Sequence, residues 1–206
     1  MAAADAAASS PVASDSSDTI TRLQAAFKAR GADIGVYPGI VNGTKLHDIV
    51  MSVNNEVPPT PAEIDAANVN ISTWTLVNFQ YDDMTGYIDT PEKQAAADQL
   101  YRDIRVYARQ EYIKGNVVYF AGPLYSCVPK PKRIGADGWE TINAYASLEQ
   151  ALGAGGDNFG HVIGGRAPAK EHMGADCQTP DAAAQAEYIE SIVDPLVTNY
   201  KIALDT

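Results

Sequence analysis

Residues Asn116-Val117-Val118-Tyr119-Phe120-Ala121-Gly122 form an almost unbroken apolar run. A strand with one wet face alternates polar and apolar residues. A run of this kind is stable only where both faces are covered, as in the middle of a parallel sheet flanked by helices. Just upstream, Ala97, Leu100, Ile104 and Ala108 recur at helical spacing, and Thr90-Pro91-Glu92 and Gly115 supply the start and stop signals of a long helix to about Ile113. A long amphipathic helix feeding a doubly buried strand is the second half of a β-α-β crossover. Such crossovers are right-handed and place the two strands parallel.

The rest of the chain repeats this alternation. Helices are predicted over 18–30, 45–53, 139–152 and from Thr179 or Pro180 to about Tyr200, with a helical turn at 62–67. Ser17 or Asp18 caps the first helix; Thr179 caps the last, with Pro180 at its first position and Asp181 in its first turn. Strands are predicted over 32–37, 72–79, 116–122 and 159–163, and no internal repeat is visible. The fold class is therefore α/β with a parallel sheet. Residues 1–11 read as a low-complexity linker and 12–206 as a single domain. Ligands of such sheets bind beyond the carboxyl ends of the strands. The loops there are 13–17, 38–44, 80–89, 122–137 and 164–178.

A formal net charge of −11 on 206 residues disfavours nucleic acid and anionic membranes as partners, since both need basic patches. No apolar run has the length of a membrane span. Cys127 and Cys177 read either as two buried thiols or as one disulfide. The disulfide would add about 4 kcal/mol on the chain-entropy account and would place the protein in an oxidising compartment. The Ala- and Ser-rich start reads as a linker following a removed export segment, hence a secreted or periplasmic location; a cytoplasmic protein with a ragged start is the alternative.

The polar loop ahead of the last helix carries His172, and imidazole is the side chain suited to proton transfer near neutrality. His47 and His161 read as structural. Gly153-Ala154-Gly155-Gly156 lacks the strand-to-helix context of a phosphate loop, and no Gly-x-Ser-x-Gly elbow occurs. Asp82 and Asp83 stand with too few neighbouring oxygen ligands for a metal site.

Four blocks in order, Ser14-Asp15-Ser16, Asn42-Gly43-Thr44, Gln80-Tyr81-Asp82-Asp83 and the His172 loop, resemble the SGNH, or GDSL-type, hydrolase family over most of the chain from residue 12. The resemblance implies a three-layer α/β/α sandwich with a flavodoxin-like parallel sheet. It implies Ser16 as nucleophile, His172 as general base, and Ser16 and Gly43 N–H groups as oxyanion donors. Tyr81 and Asp82 fall in the third block, which in the family lines the oxyanion and substrate site. Serine replaces the first glycine, Asp82 stands where the family has asparagine, and Ala169 stands where it has the aspartate that orients the histidine. Asp176 is the first candidate for that missing carboxylate, with Glu171 or a backbone carbonyl behind it. The implied function is serine-dependent hydrolysis of a small acyl ester, such as an acetyl ester on a carbohydrate, with no metal or organic cofactor. A binding or assembly module that has lost catalysis is the alternative, as is an acyltransferase using the same residues. The sequence leaves the oligomeric state open.

Overall fold

The computed structural model describes residues 17–39, 44–67, 69–70, 73–77, 91–124, 133–134, 140–141, 159–166, 169–175 and 179–204. The chain divides into two compact units, Met1–Thr44 and Lys45–Thr206.

The first unit contains helix α1, Ser17–Ala29. Leu23 and Phe27, four residues apart and so on one face, are buried. An Asp18–Arg22 ion pair of 2.9 Å lies along the exposed side. Gly31, at φ 73, reverses the chain after the helix, and Ala32 N–H returns to the Phe27 carbonyl. The strand expected over 32–37 is not formed. Its alternation survives in the burial: Ala32 is buried, Ile34 and Val36 half-buried, and Asp33, Gly35 and Tyr37 exposed. Pairing is what is missing, because among the described residues no ladder includes this segment. Strand preference is largely a preference for neighbours on a pleated surface, and without them it is not expressed.

The second unit is mixed α/β. Helices α2 (Leu46–Asn54) and α3 (Pro61–Ala66) precede strand β1 (Thr73–Val77). Helix α4 (Pro91–Tyr112) crosses to strand β2 (Asn116–Leu124), and strands β3 (Arg133–Ile134) and β4 (Glu140–Thr141) follow. Strand β5 (Gly160–Arg166) and helix α5 (Ala182–Leu204) complete it. The described sheet has three strands in the order β1-β2-β5, all parallel, with Val77 beside Phe120 and Phe120 beside Val162. Helix α4 packs against β2 and α5 against β5. No helix among the described residues is long and apolar enough to cross a membrane.

Strand β2 behaves as its composition requires. Val118, Tyr119, Phe120 and Ala121 are each 6% exposed or less. Successive residues of a strand point to opposite faces, so both faces of β2 are covered. Two other expectations are corrected. Glu140 and Thr141 pair antiparallel with Ile134 and Arg133, so the helix expected from Trp139 does not include them. The dipeptide Asp137-Gly138 between the two short strands was the overlooked hairpin signal. Strand β5 also continues past Ile163 through Gly164 and Gly165, which were read as loop.

Gly164 lets α5 lie close on the sheet. Gly164 has φ 66, and a Cβ there would stand 2.7 Å from Ile192 Cγ1 and 2.9 Å from Ser191 Oγ. The direction of α5 follows from two bonds. Tyr188 donates its hydroxyl proton to the Gly122 carbonyl near the end of β2 (2.8 Å), whereas Asn199 reaches Tyr119, earlier in that strand (3.2 Å). The helix therefore runs antiparallel to the strands and begins beyond their carboxyl ends. Substituting Gly164→Ala combines a left-handed backbone with a steric clash. It should destabilise the protein by about 2 kcal/mol, read as a lower urea midpoint at unchanged slope.

Candidate functional site: a His172–Asp181 pair at the carboxyl edge of the sheet

After β5 the chain makes a single 3-10 turn, Lys170–His172, in which His172 N–H donates to the Ala169 carbonyl (2.9 Å). Met173 is buried and forms an isolated antiparallel bridge with Pro180. Two backbone bonds close this small loop: Gly174 N–H to the Thr179 carbonyl at 2.7 Å and Asp181 N–H to the His172 carbonyl at 2.8 Å. The bridge carries residue 181 back beside residue 172. It also moves the start of the last helix. The expected N-cap was Thr179, with Pro180 at the first helical position, but the Thr179 carbonyl and the Asp181 N–H are both committed to the bridge. Asp181 takes the N-cap role instead: its Oδ1 accepts the Ala184 N–H at 2.8 Å, and its carbonyl accepts the first helical bond from Gln185 at 3.0 Å.

The second oxygen of the same carboxylate, Oδ2, lies 2.9 Å from His172 Nδ1. One end of Asp181 is thus fixed by a helix N-terminus and the other orients an imidazole. With Nδ1 engaged, Nε2 is the ring nitrogen left to exchange a proton, the arrangement that lets a histidine act as a general base. The pair lies beyond the carboxyl ends of the strands, where ligands of such sheets bind.

The electrostatics agree with the geometry. The hydrogen bond to Asp181 is the main cause that raises the His172 pKa, with the Asp181 charge second and Glu171 and Glu187 adding to it against slight desolvation. Asp181 is lowered, first by the Ala184 N–H and then by the bond to His172. A raised imidazole stabilises the fold below its ordinary range, and that contribution is lost as pH rises through the raised value. A lowered carboxylate contributes above the ordinary carboxylate range, and that contribution is lost as pH falls through the lowered value. The pair therefore supports the fold between these two limits. Both side chains are near half-exposed, at 41% and 47%, so solvent screens the interaction and its weight is positional more than energetic.

Of the residues that the family resemblance places in the site, His172 is described, as is Glu171, the second candidate for its carboxylate. Ser16, Gly43, Tyr81, Asp82, Cys127, Asp176 and Cys177 lie outside the described residues. The carboxylate found against the histidine is Asp181, which the sequence marked only as a first-turn acid. Its signal was an aspartate just after a proline at a helix start, the residue type that holds an N-cap and still has an oxygen to spare. Glu171 affects His172 through its charge alone.

A second polar group joins α2 to α4. His47 Nδ1 lies 3.2 Å from both oxygens of Asp103, and Gln99 Nε2 reaches Asp103 Oδ1 at 3.0 Å and Glu56 Oε1 at 2.6 Å. Among the described residues, His47, Glu56 and Asp103 are the group with the donor atoms and spacing to hold a metal ion. His161, the third histidine, lies beside the Tyr119 ring at 5.6 Å between centroids.

The His172 imidazole should titrate above the ordinary value of about 6.5 in a proton NMR titration, and Asp181→Asn should return the midpoint toward that value. Comparison with protein-family models, with curated proteins and with solved structures gives no match for the chain.

Proposed function

We propose that the protein is a serine-dependent ester hydrolase of SGNH type, acting on a small acyl ester such as an acetyl group on a carbohydrate. The observation that carries the reading is the His172–Asp181 pair at the carboxyl edge of a parallel sheet. The three-layer sandwich with a flavodoxin-like sheet is the fuller form of this fold and belongs to the same proposal. Ser16 as nucleophile, Gly43 as oxyanion donor, and Tyr81 and Asp82 in the substrate site enter on sequence order alone.

In this reading the serine Oγ attacks the ester carbonyl while its proton passes to His172 Nε2. The alcohol leaves with that proton. Water then attacks the acyl-serine while His172 Nε2 takes its proton; the serine oxygen leaves with that proton, and the carboxylic acid is released. Asp181 holds the imidazole through Nδ1 and favours the imidazolium that forms. It thereby supplies the carboxylate that Ala169 lacks, which removes one of the departures from the family pattern. No metal or organic cofactor takes part in these steps. An acyltransferase would share the acyl-serine and differ only in the acceptor. Asp82 speaks for the other reading, a binding module without turnover, because an ionised carboxylate repels a developing oxyanion. A Cys127–Cys177 disulfide and a secreted or periplasmic location complete the proposal.

Intact-mass analysis after treatment with a fluorophosphonate, without reductant, tests all of this. One adduct in the wild type, lost in Ser16→Ala, is expected, together with a mass two protons below that of the reduced chain. A folded wild type that takes no adduct, or a Ser16→Ala protein that still takes one, overturns the assignment of the nucleophile. On an activated acetyl ester, His172→Ala should lower kcat by about a thousandfold and Asp181→Asn by about tenfold or more. The wild-type rate should climb as pH rises through the raised His172 value, where the base loses its proton. In Asp181→Asn that rise should move to lower pH.

A further inference from the structure

We propose that His47, Glu56 and Asp103, with the side-chain amide of Gln99, form a binding site for a divalent transition-metal ion between α2 and α4. This site is separate from the His172–Asp181 pair and does not depend on the esterase reading.

Asp103 sets the problem. It occupies an inward position on α4, 2% exposed, in a stretch where Leu100, Ile104, Val106 and Tyr107 are also buried. A carboxylate taken out of water is unfavourable unless a cation or a full set of donors compensates it. His47 Nδ1 faces both Asp103 oxygens equally, at 3.2 Å. That is longer than a charge-assisted hydrogen bond, which falls near 2.7–2.9 Å. It is close to the spacing of neighbouring ligand atoms around one ion: donors each about 2.1 Å from a metal lie roughly 3–3.5 Å from one another. The donor atoms of all three residues lie within 4.8 Å of one another.

The point where they converge is occupied by one atom. Gln99 Nε2 lies 2.6 Å from Glu56 Oε1, 3.0 Å from Asp103 Oδ1 and 3.3 Å from His47 Nδ1. An amide nitrogen carries two hydrogens and only a fraction of a positive charge. It is a weak occupant for a place faced by two carboxylates. A half-turn of the Gln99 side chain withdraws Nε2 and presents Oε1 as a fourth donor. The backbone directs Glu56 to this point: Asn55 and Glu56 both take left-handed conformations, at φ 47 and 63, and Glu56 N–H closes the end of α2 on the Val50 carbonyl. The nearby cation is Arg102, whose Nε lies 3.6 Å from Glu56 Oε1 and whose Nη2 donates to Gln99 Oε1 at 2.6 Å. Its side chain is 54% exposed and can turn to solvent when a dication takes over the counter-charge.

The donor set selects the class of ion. One imidazole nitrogen, two carboxylates and an amide oxygen offer no sulfur for soft ions and too few oxygens for calcium. Manganese and zinc suit the set. A bound ion would fasten the end of α2 to the middle of α4.

Manganese alone is the probe, because it prefers oxygen and imidazole and passes over sulfur, whatever the redox state of the two cysteines. Titration of the full chain followed by the electron paramagnetic resonance of free Mn²⁺ should show one ion bound per chain. His47→Gln and Glu56→Gln, both near-isosteric and at half-exposed positions, should each weaken binding about tenfold or more. At a fixed manganese concentration the Tm of the wild type should rise more than that of either variant. A wild type that shows no saturable binding at millimolar manganese overturns the site. Two folded variants that bind as tightly as the wild type overturn it equally.

Discussion

The parallel sheet of the larger unit is arranged around one strand buried on both faces. Val118 and Phe120 are fully inaccessible, and Tyr119 and Ala121 nearly so. Fully burying each large side chain contributes about 1.5–3 kcal/mol, and β2 concentrates several of them in one segment. A strand in that position needs a parallel neighbour on each edge and a helix on each face. The neighbours are β1 and β5, and α4 and α5 pack against β2 and β5. Close approach of α5 then requires the glycine at 164, and its antiparallel course brings its first turn to the carboxyl edge of the sheet.

Asp181 links that architecture to chemistry. A helix N-terminus needs an acceptor for its unpaired N–H groups, and a histidine that is to work as a base needs a carboxylate on Nδ1. One side chain with two oxygens does both. The Met173–Pro180 bridge makes this possible by holding the backbone of His172 against that of Asp181. The result is an imidazole oriented by main-chain geometry more than by burial, which is how an exposed ring can keep a defined direction in solvent.

The α2–α4 group follows the opposite logic. There the anionic centre, Asp103, is buried among apolar neighbours, and its partners His47 and Glu56 lie nearer the surface. The first pair, half-exposed on both sides, costs little desolvation to maintain. The second costs desolvation and so is stable only with a well-matched set of partners.

Local pattern carried much of the fold. The apolar run at 116–122, the β-branched stretch at 72–79 and the helical spacing over 91–112 and 182–200 were legible because periodicity and caps act within a few residues. The His172 loop was legible for the same reason, being polar chain just ahead of a helix start. Partnership was not. Residues 32–37 show a strand's alternation but find no strand partner among the described residues, and Glu140 and Thr141 pair with Ile134 and Arg133 although their surroundings read as helix. His172 was visible while Asp181, its carboxylate, was not, because a two-residue bridge decides which acid reaches the ring. His47, Glu56 and Asp103 look unremarkable when read singly. They meet because α2 packs on α4, and that contact depends on Val50 and Ile104 being driven from water, not on any short-range signal around the polar residues themselves.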